Sequence, residues 1–200
     1  MSSKTREETA AAGTSDLVSH LADQLDVHWT TQLRPRLDGL TDDEYFWQPV
    51  PDCWTVRRAG AERPGDEESS HGTIDFAYPP PQPEPVTTIA WRLAHVIVGV
   101  LAVRAHSHFD GPPADYETWH YATDAATALQ QLDDAYDSWM SGVRGLTEPQ
   151  LAKPVGPAEG PWADRPMIDL VLHINREVIH HGAEIALLRD LYAHTTDKEN

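Results

Sequence analysis

The feature that most constrains this chain is a run of apolar residues near its C-terminus. Met167, Val171, Ile174, Val178, His181, Ile185, Leu188 and Tyr192 recur at alternating steps of four and three. That period puts them on one face of a long helix that must pack against partners. One member of this apolar seam is a histidine. A second stripe beside it reads Leu170, Glu177, Glu184 and Leu191, so a carboxylate sits one turn before His181 on nearly the same face. A carboxylate and an imidazole at i and i+4 on the buried side of a helix can share one metal ion. A buried carboxylate needs a counter-charge in any case. An arginine from a neighbouring helix, beside a hydrogen-bonded core histidine, also supplies one. A metal needs a third ligand from elsewhere in the chain.

Three further segments carry the helical period. The first runs from a cap at Thr14 or Ser15 to about Leu37, with the seam Val18, Leu21, Leu25, His28/Trp29, Leu33 and Leu37. Pro35 is expected to bend its end. The second begins after Thr87 or Thr88 and is the most apolar. Ile89, Leu93, Val96, Val100 and Val103 form one of its seams, and Trp91, His95, Val98 and Ala102 the other. His95 therefore has apolar neighbours on nearly every side and needs a partner. His106 and His108 fall at its C-terminal end, where the helix dipole favours an imidazolium. The third runs from about Thr123 to Gly142, with Asp124, Asp133, Asp134 and Asp137 as a solvated stripe. The seam around His181 makes the fourth, starting at Asp164 or the following turn, with Pro166 tolerated there. No strand pattern of useful length appears. The fold expected is all-α, a four-helix bundle, an architecture that places metals between facing helices.

Between these helices the reading is coarser. Residues 1–14 and 195–200 read as tails around a single domain, 15–194, and 200 residues suffice for one substantial core. Residues 58–85 form a Pro- and Gly-rich connection, either a lid or a disordered excursion, with His71 inside it. Trp47 and Trp54, in a proline-broken stretch, plug the core or line a pocket mouth. The formal charge is −17, from 15 basic and 32 acidic residues. A surface so acidic repels phosphate backbones and anionic lipid, which argues against nucleic-acid and membrane roles. Cys53 stands alone, so no disulfide forms within the chain. The polar N-terminus reads as neither signal peptide nor anchor, and no apolar run approaches bilayer-spanning length. A soluble cytoplasmic protein is expected, with a homodimer allowed.

Trp91-Arg92-Leu93-Ala94-His95 on the second helix, taken with two stretches of the fourth, carries a resemblance. Those stretches are Arg176-Glu177-Val178-Ile179-His180-His181-Gly182-Ala183-Glu184-Ile185 and Leu188-Arg189-Asp190-Leu191-Tyr192. Together they resemble the DinB superfamily, most closely its actinobacterial branch of mycothiol-dependent maleylpyruvate isomerases and related thiol transferases. The resemblance implies a four-helix bundle holding one divalent metal, zinc or nickel. Its ligands are a histidine of helix two and two residues four apart on helix four. Carried over, the ligands are His95, Glu177 and His181. Many members have histidine at both helix-four positions, whereas Glu177 matches the His, Glu, His set of the isomerases. The resemblance further implies an enzyme whose metal activates a small thiol against an electrophilic small molecule.

Geometry agrees with that choice of ligands. His173 lies eight residues before His181, about 12 Å along the axis and too far to share an ion readily. His180 points about 100° away from His181, so one of the pair is the ligand, and the seam favours His181. Three protein ligands leave zinc's fourth position open. One carboxylate and two neutral imidazoles leave a net positive site, which favours a bound thiolate. Arg92, one turn before His95, and Arg176 are each placed to orient an anionic substrate or to pair with Glu177 or Glu184, with pairing the role expected of Arg176. Two other readings compete. One is a non-catalytic bundle of stress or detoxification type that binds metal or a small ligand. The other is a di-iron protein, whose Glu-x-x-His signature occurs at Glu177–His180, Glu117–His120 and Glu68–His71, of which only the first lies on a convincing helix.

Overall fold

The computed structural model describes residues 16–58 and 72–196. The expected N-terminal tail, the caps Thr14 and Ser15, His71 and the Glu68–His71 pair lie outside the described residues, as do 197–200 of the C-terminal tail. Four long helices form the bundle expected, with core residues drawn from all of them.

The first helix starts at Leu17, one residue after its cap. Asp16 Oδ1 accepts from the Ser19 N–H at 2.8 Å, satisfying a donor that no earlier carbonyl can reach. The α-helix Leu17–His28 passes into a π-helical stretch, Trp29–Leu33, and a last turn, Arg34–Arg36. The Thr30 and Thr31 hydroxyls donate to the carbonyls of Asp26 and Val27 at 2.8 and 2.6 Å. Pro35 has no N–H to return to the carbonyl four residues back. Both effects loosen the regular ladder just where it widens.

The second helix is capped by Thr88, whose hydroxyl accepts from the Trp91 N–H at 3.2 Å. It runs Ile89–Ala94, then as a π-helix His95–Ala102, then Val103–Phe109, and stops at Asp110 in the left-handed region. Every residue from Val96 to Ala102 is buried, so the two expected seams merge into a fully apolar circumference. This helix packs against both the third and fourth helices. Contrary to the expectation that no run approaches spanning length, Ile89–Phe109 is 21 residues long with mean hydropathy 1.3, enough by length and composition to cross a membrane. Some 67% of that window is buried by the rest of the fold, the signature of a central core helix.

The third helix, Ala125–Arg144, begins after Asp124, which caps the Thr127 N–H. Its inner face stacks Tyr136 on Trp29 at 3.9 Å with planes 5° apart. The Tyr136 hydroxyl donates to Asp26 Oδ1 at 2.6 Å. The fourth helix, Met167–Thr196, buries Val171, Ile174, Val178, His181 and Ile185 of its seam and leaves Met167, Leu188 and Tyr192 half-buried. Asn175, buried beside that seam, donates to the Leu21 carbonyl at 2.8 Å and ties it to the first helix.

The Pro-rich connection is anchored at both described ends. Val56–Arg57 and Thr73–Ile74 pair as a short antiparallel ladder. Buried Asp75 accepts from Arg57 Nε and Nη2 at 2.8 and 2.7 Å, and its own carbonyl accepts from Trp91 Nε1 at 2.7 Å. The segment before helix two therefore grips the turn that carries His95.

Candidate metal centre

His95 and His181 come from the second and fourth helices, and their rings meet edge to face with centroids 4.8 Å apart. His95 is the first residue of the π-helical stretch in the second helix, a backbone feature frequent at functional sites. Its ring stacks on Trp91 one turn earlier, at 5.5 Å and 15°. Trp91 is in turn backed by Trp54 at 5.8 Å, so Trp54 forms part of the wall behind the centre.

On the other side of His95 the helix carries Gly99. A methyl group there would lie 1.8 Å from the Tyr116 hydroxyl and 3.2 Å from His95 Nδ1. The missing side chain is what lets Tyr116 reach in beside the imidazole. Neither ring nitrogen of His95 makes a hydrogen bond among the described residues. Burial pushes the His95 pKa down to about 4, with the charges of His181, Arg92 and Arg104 adding to the effect. The ring is therefore neutral near pH 7, the form that coordinates metals.

His181 is buried and has carboxylates on both sides. Its Nδ1 lies 2.7 Å from Glu184 Oε2, and its Nε2 lies 3.5 Å from Glu177 Oε2. Arg92 Nη1 is also 3.4 Å from Nδ1, but a guanidinium can only donate. The shorter carboxylate contact makes Nδ1 the nitrogen that donates to Glu184, with Nε2 turned toward Glu177. Glu184 is held in turn by Arg92, whose Nε lies 3.0 Å from Oε2 but out of line for a hydrogen bond, so the contact is an ion pair. Burial raises the Glu184 carboxyl; the hydrogen bond from His181 and the Arg92 charge outweigh it and leave it below its ordinary value.

Glu177 is half-buried, because its stripe lies on the flank of the seam. While one of its oxygens faces His181, the other, Oε1, lies 3.4 Å from His173 Nδ1 and 3.8 Å from Arg176 Nε. Arg176 contacts the His173 ring more closely, at 2.8 Å, than the Glu177 carboxylate expected as its partner. His180 points outward, with its side chain 64% exposed, and its Nε2 is 3.5 Å from Glu184 Oε1. Ligand atoms of His180, His181 and Glu184 all lie within 4.8 Å of one another. His181 thus has His95 and Glu177 as separate neighbours on one side and the group with His180 and Glu184 on the other.

The sequence reading placed Glu184 only on a stripe and as a possible arginine partner. It is the carboxylate nearest to His181, and its spacing at i+3 was the available signal. His108, read as a dipole-stabilised terminal histidine, is instead buried against Glu159, its Nε2 2.9 Å from Oε1. Glu117 and His120 lie in the loop between helices two and three, off any helix.

Among the described residues, the side chains whose ligand atoms lie within 4.8 Å of one another are His180, His181 and Glu184, and His95 and Glu177 flank His181 on its other side. The family model of the DinB superfamily matches residues 24–185, a stretch that contains His95, Glu177 and His181. No curated protein and no solved structure matches the chain. With four helices in place and a family match across most of its length, the chain belongs to the DinB superfamily.

Proposed function

We propose that His95, Glu177 and His181 hold one divalent cation, zinc with nickel as the second candidate, in a cytoplasmic thiol-dependent transferase or isomerase. The observation that carries this reading is the chain Arg92–Glu184–His181. The carboxylate accepts from Nδ1, and Nε2 faces the Glu177 side. Metal-ligating histidines are oriented in this way by outer partners. When bound, such a cation lowers the pKa of a thiol or water toward neutrality. The protein's own contributions are positional. Trp91 and Trp54 shield one side of His95, Tyr116 brings a hydroxyl to its other side, and Arg92 keeps Glu184 ionised against His181.

The test is metal analysis of the purified protein, joined to turnover of an electrophile panel with glutathione and with mycothiol. About one cation per chain is expected, with turnover that requires a thiol and stops after chelation. Metal without turnover would assign the alternative, a non-catalytic binding bundle. A protein that takes up neither zinc nor nickel after reconstitution would remove the metal reading altogether.

Replacing Glu184 with glutamine removes the charge that orders His181 and should weaken metal affinity by about 10–100-fold. Competition with a chromogenic chelator measures this directly. His180→Ala should leave affinity unchanged, since His180 points outward. Loss of affinity in His180→Ala as large as in Glu184→Gln would move the cation to the group of His180, His181 and Glu184.

A further inference from the structure

A cavity of about 510 Å³ opens between the first turns of the fourth helix and the segment before it. That volume falls in the range of small-molecule sites, roughly 300–1,000 Å³. Arg104, Arg165 and Arg176 all line it. In a chain with 15 basic and 32 acidic residues, three arginines against two lining acids, Glu159 and Asp169, give this cavity a local excess of positive charge.

Each has one donor engaged, Arg104 Nη1 by the Gly99 carbonyl, Arg165 Nη1 by Asp169 and Arg176 Nη2 by His173, and the rest of each fork has no hydrogen bond among the described residues. Arg104 Nε is buried without a hydrogen-bond partner, 3.6 Å from Glu159 Oε1, and that oxygen already contacts His108 at 2.9 Å. Arg165 reaches Asp169 only at 3.5 Å. Arg176 contacts the ring of His173 at 2.8 Å and Glu177 only at 3.8 Å. A guanidinium offers five N–H groups in a planar fork that matches a carboxylate. Trp162, also on the wall, is 62% exposed, a large and mostly open indole.

The cavity also touches the candidate metal centre through one residue. Glu177 Oε1 lies against His173 and Arg176 of the cavity wall, while Oε2 lies against His181. A molecule seated among the arginines is thus one carboxylate away from the centre.

We propose that this cavity binds a small organic acid, with its carboxylate groups on Arg104, Arg165 and Arg176 and an apolar body against Trp162. That the molecule is the electrophile of the centre rests on the function proposed above; the binding itself does not. Calorimetry of the full chain with phenylsuccinate, and with phenylsuccinamide as its uncharged counterpart, tests it. Saturable millimolar or tighter binding of the dianion is expected, at least about tenfold weaker for the diamide, since each charge-assisted contact is worth about tenfold or more. Arg165→Gln and Arg176→Gln, both exposed positions, should each weaken binding about tenfold, and Arg104→Met at least as much. The change in indole emission on binding should vanish in Trp162→Phe. His181→Ala should bind phenylsuccinate as the unaltered protein does, which separates failure of the metal reading from failure of this one. No saturable binding, equal affinity for the diamide, or arginine variants that bind normally would each overturn the proposal. Should Arg104→Met fail to fold, the two exposed variants decide alone.

Discussion

His181→Ala should purify without stoichiometric metal, and so should His95→Ala, whereas His173→Ala should keep it. Structural zinc sites bind with about 10–16 kcal/mol spread over four ligands, so one imidazole carries roughly 3 kcal/mol. That is on the order of a 100-fold loss in affinity, and a site with three protein ligands has none in reserve. His173 lies beside Glu177 Oε1, on the far side of that carboxylate from His181, so its loss removes no ligand. The metal-to-protein ratio of each variant, with a chelator competition for affinity, reads the result. Stoichiometric metal in His181→Ala would sink the ligand assignment. The same measurement on His95→Ala checks whether two distant helices truly share the cation.

The largest stability effect is expected at Arg189. Its Nε and Nη2 contact the two oxygens of Glu44 at 2.6 and 3.0 Å, and Nη1 donates to the carbonyls of Arg36 and Asp38 at 2.5 and 3.0 Å. The Glu44 side chain is only 7% exposed. Arg189→Met therefore strands a buried carboxylate and removes the donor shared by two carbonyls at the end of the first helix. Breaking a buried pair from one side costs about 3–5 kcal/mol, a large part of a typical stability of about 5–15 kcal/mol. Urea denaturation should show that loss. Removing the stranded charge as well, in the double variant Glu44→Gln/Arg189→Met, should cost less than the sum of the single changes. An Arg189→Met protein within about 1 kcal/mol of the unaltered one would show that the pair contributes little.

Much of the bundle was legible beforehand, for a local reason. The seams of the four helices repeat within one or two turns, and Thr88 and the apolar run after it announce their own helix start. Boundaries were less secure. The first helix is capped by Asp16, and the third starts two residues later than expected, because any of several adjacent polar side chains can serve as a cap. The two π-helical stretches left no periodic trace. The membrane-length apolar run of Ile89–Phe109 was underestimated because His95, Arg104 and the histidines at its end interrupt the eye but hardly lower its mean hydropathy.

The candidate centre was legible in part. Glu177 and His181 share a face by spacing alone, and the resemblance supplied His95. What spacing could not supply was direction. Arg104, Arg165, Trp162 and Arg176 are scattered over three segments, and nothing local links them to one cavity. Arg189 and Glu44 lie 145 positions apart and form a pair only once the short turn Asp42–Tyr45 docks on the fourth helix.

By itself the sequence determined four amphipathic helices, a histidine in the most apolar of them, and an acid and an imidazole one turn apart in the last. Those features follow from the fixed rise and rotation of a helix, which any reader of the chain can apply. Only the tertiary structure decided that Glu184 rather than Glu177 takes the Nδ1 side of His181, and that Arg92, far away in the sequence, holds that carboxylate there. Which edge of a ring meets which neighbour depends on the rotation and crossing of packed helices. Those are set by the fit of all the core side chains together, and not by any one segment.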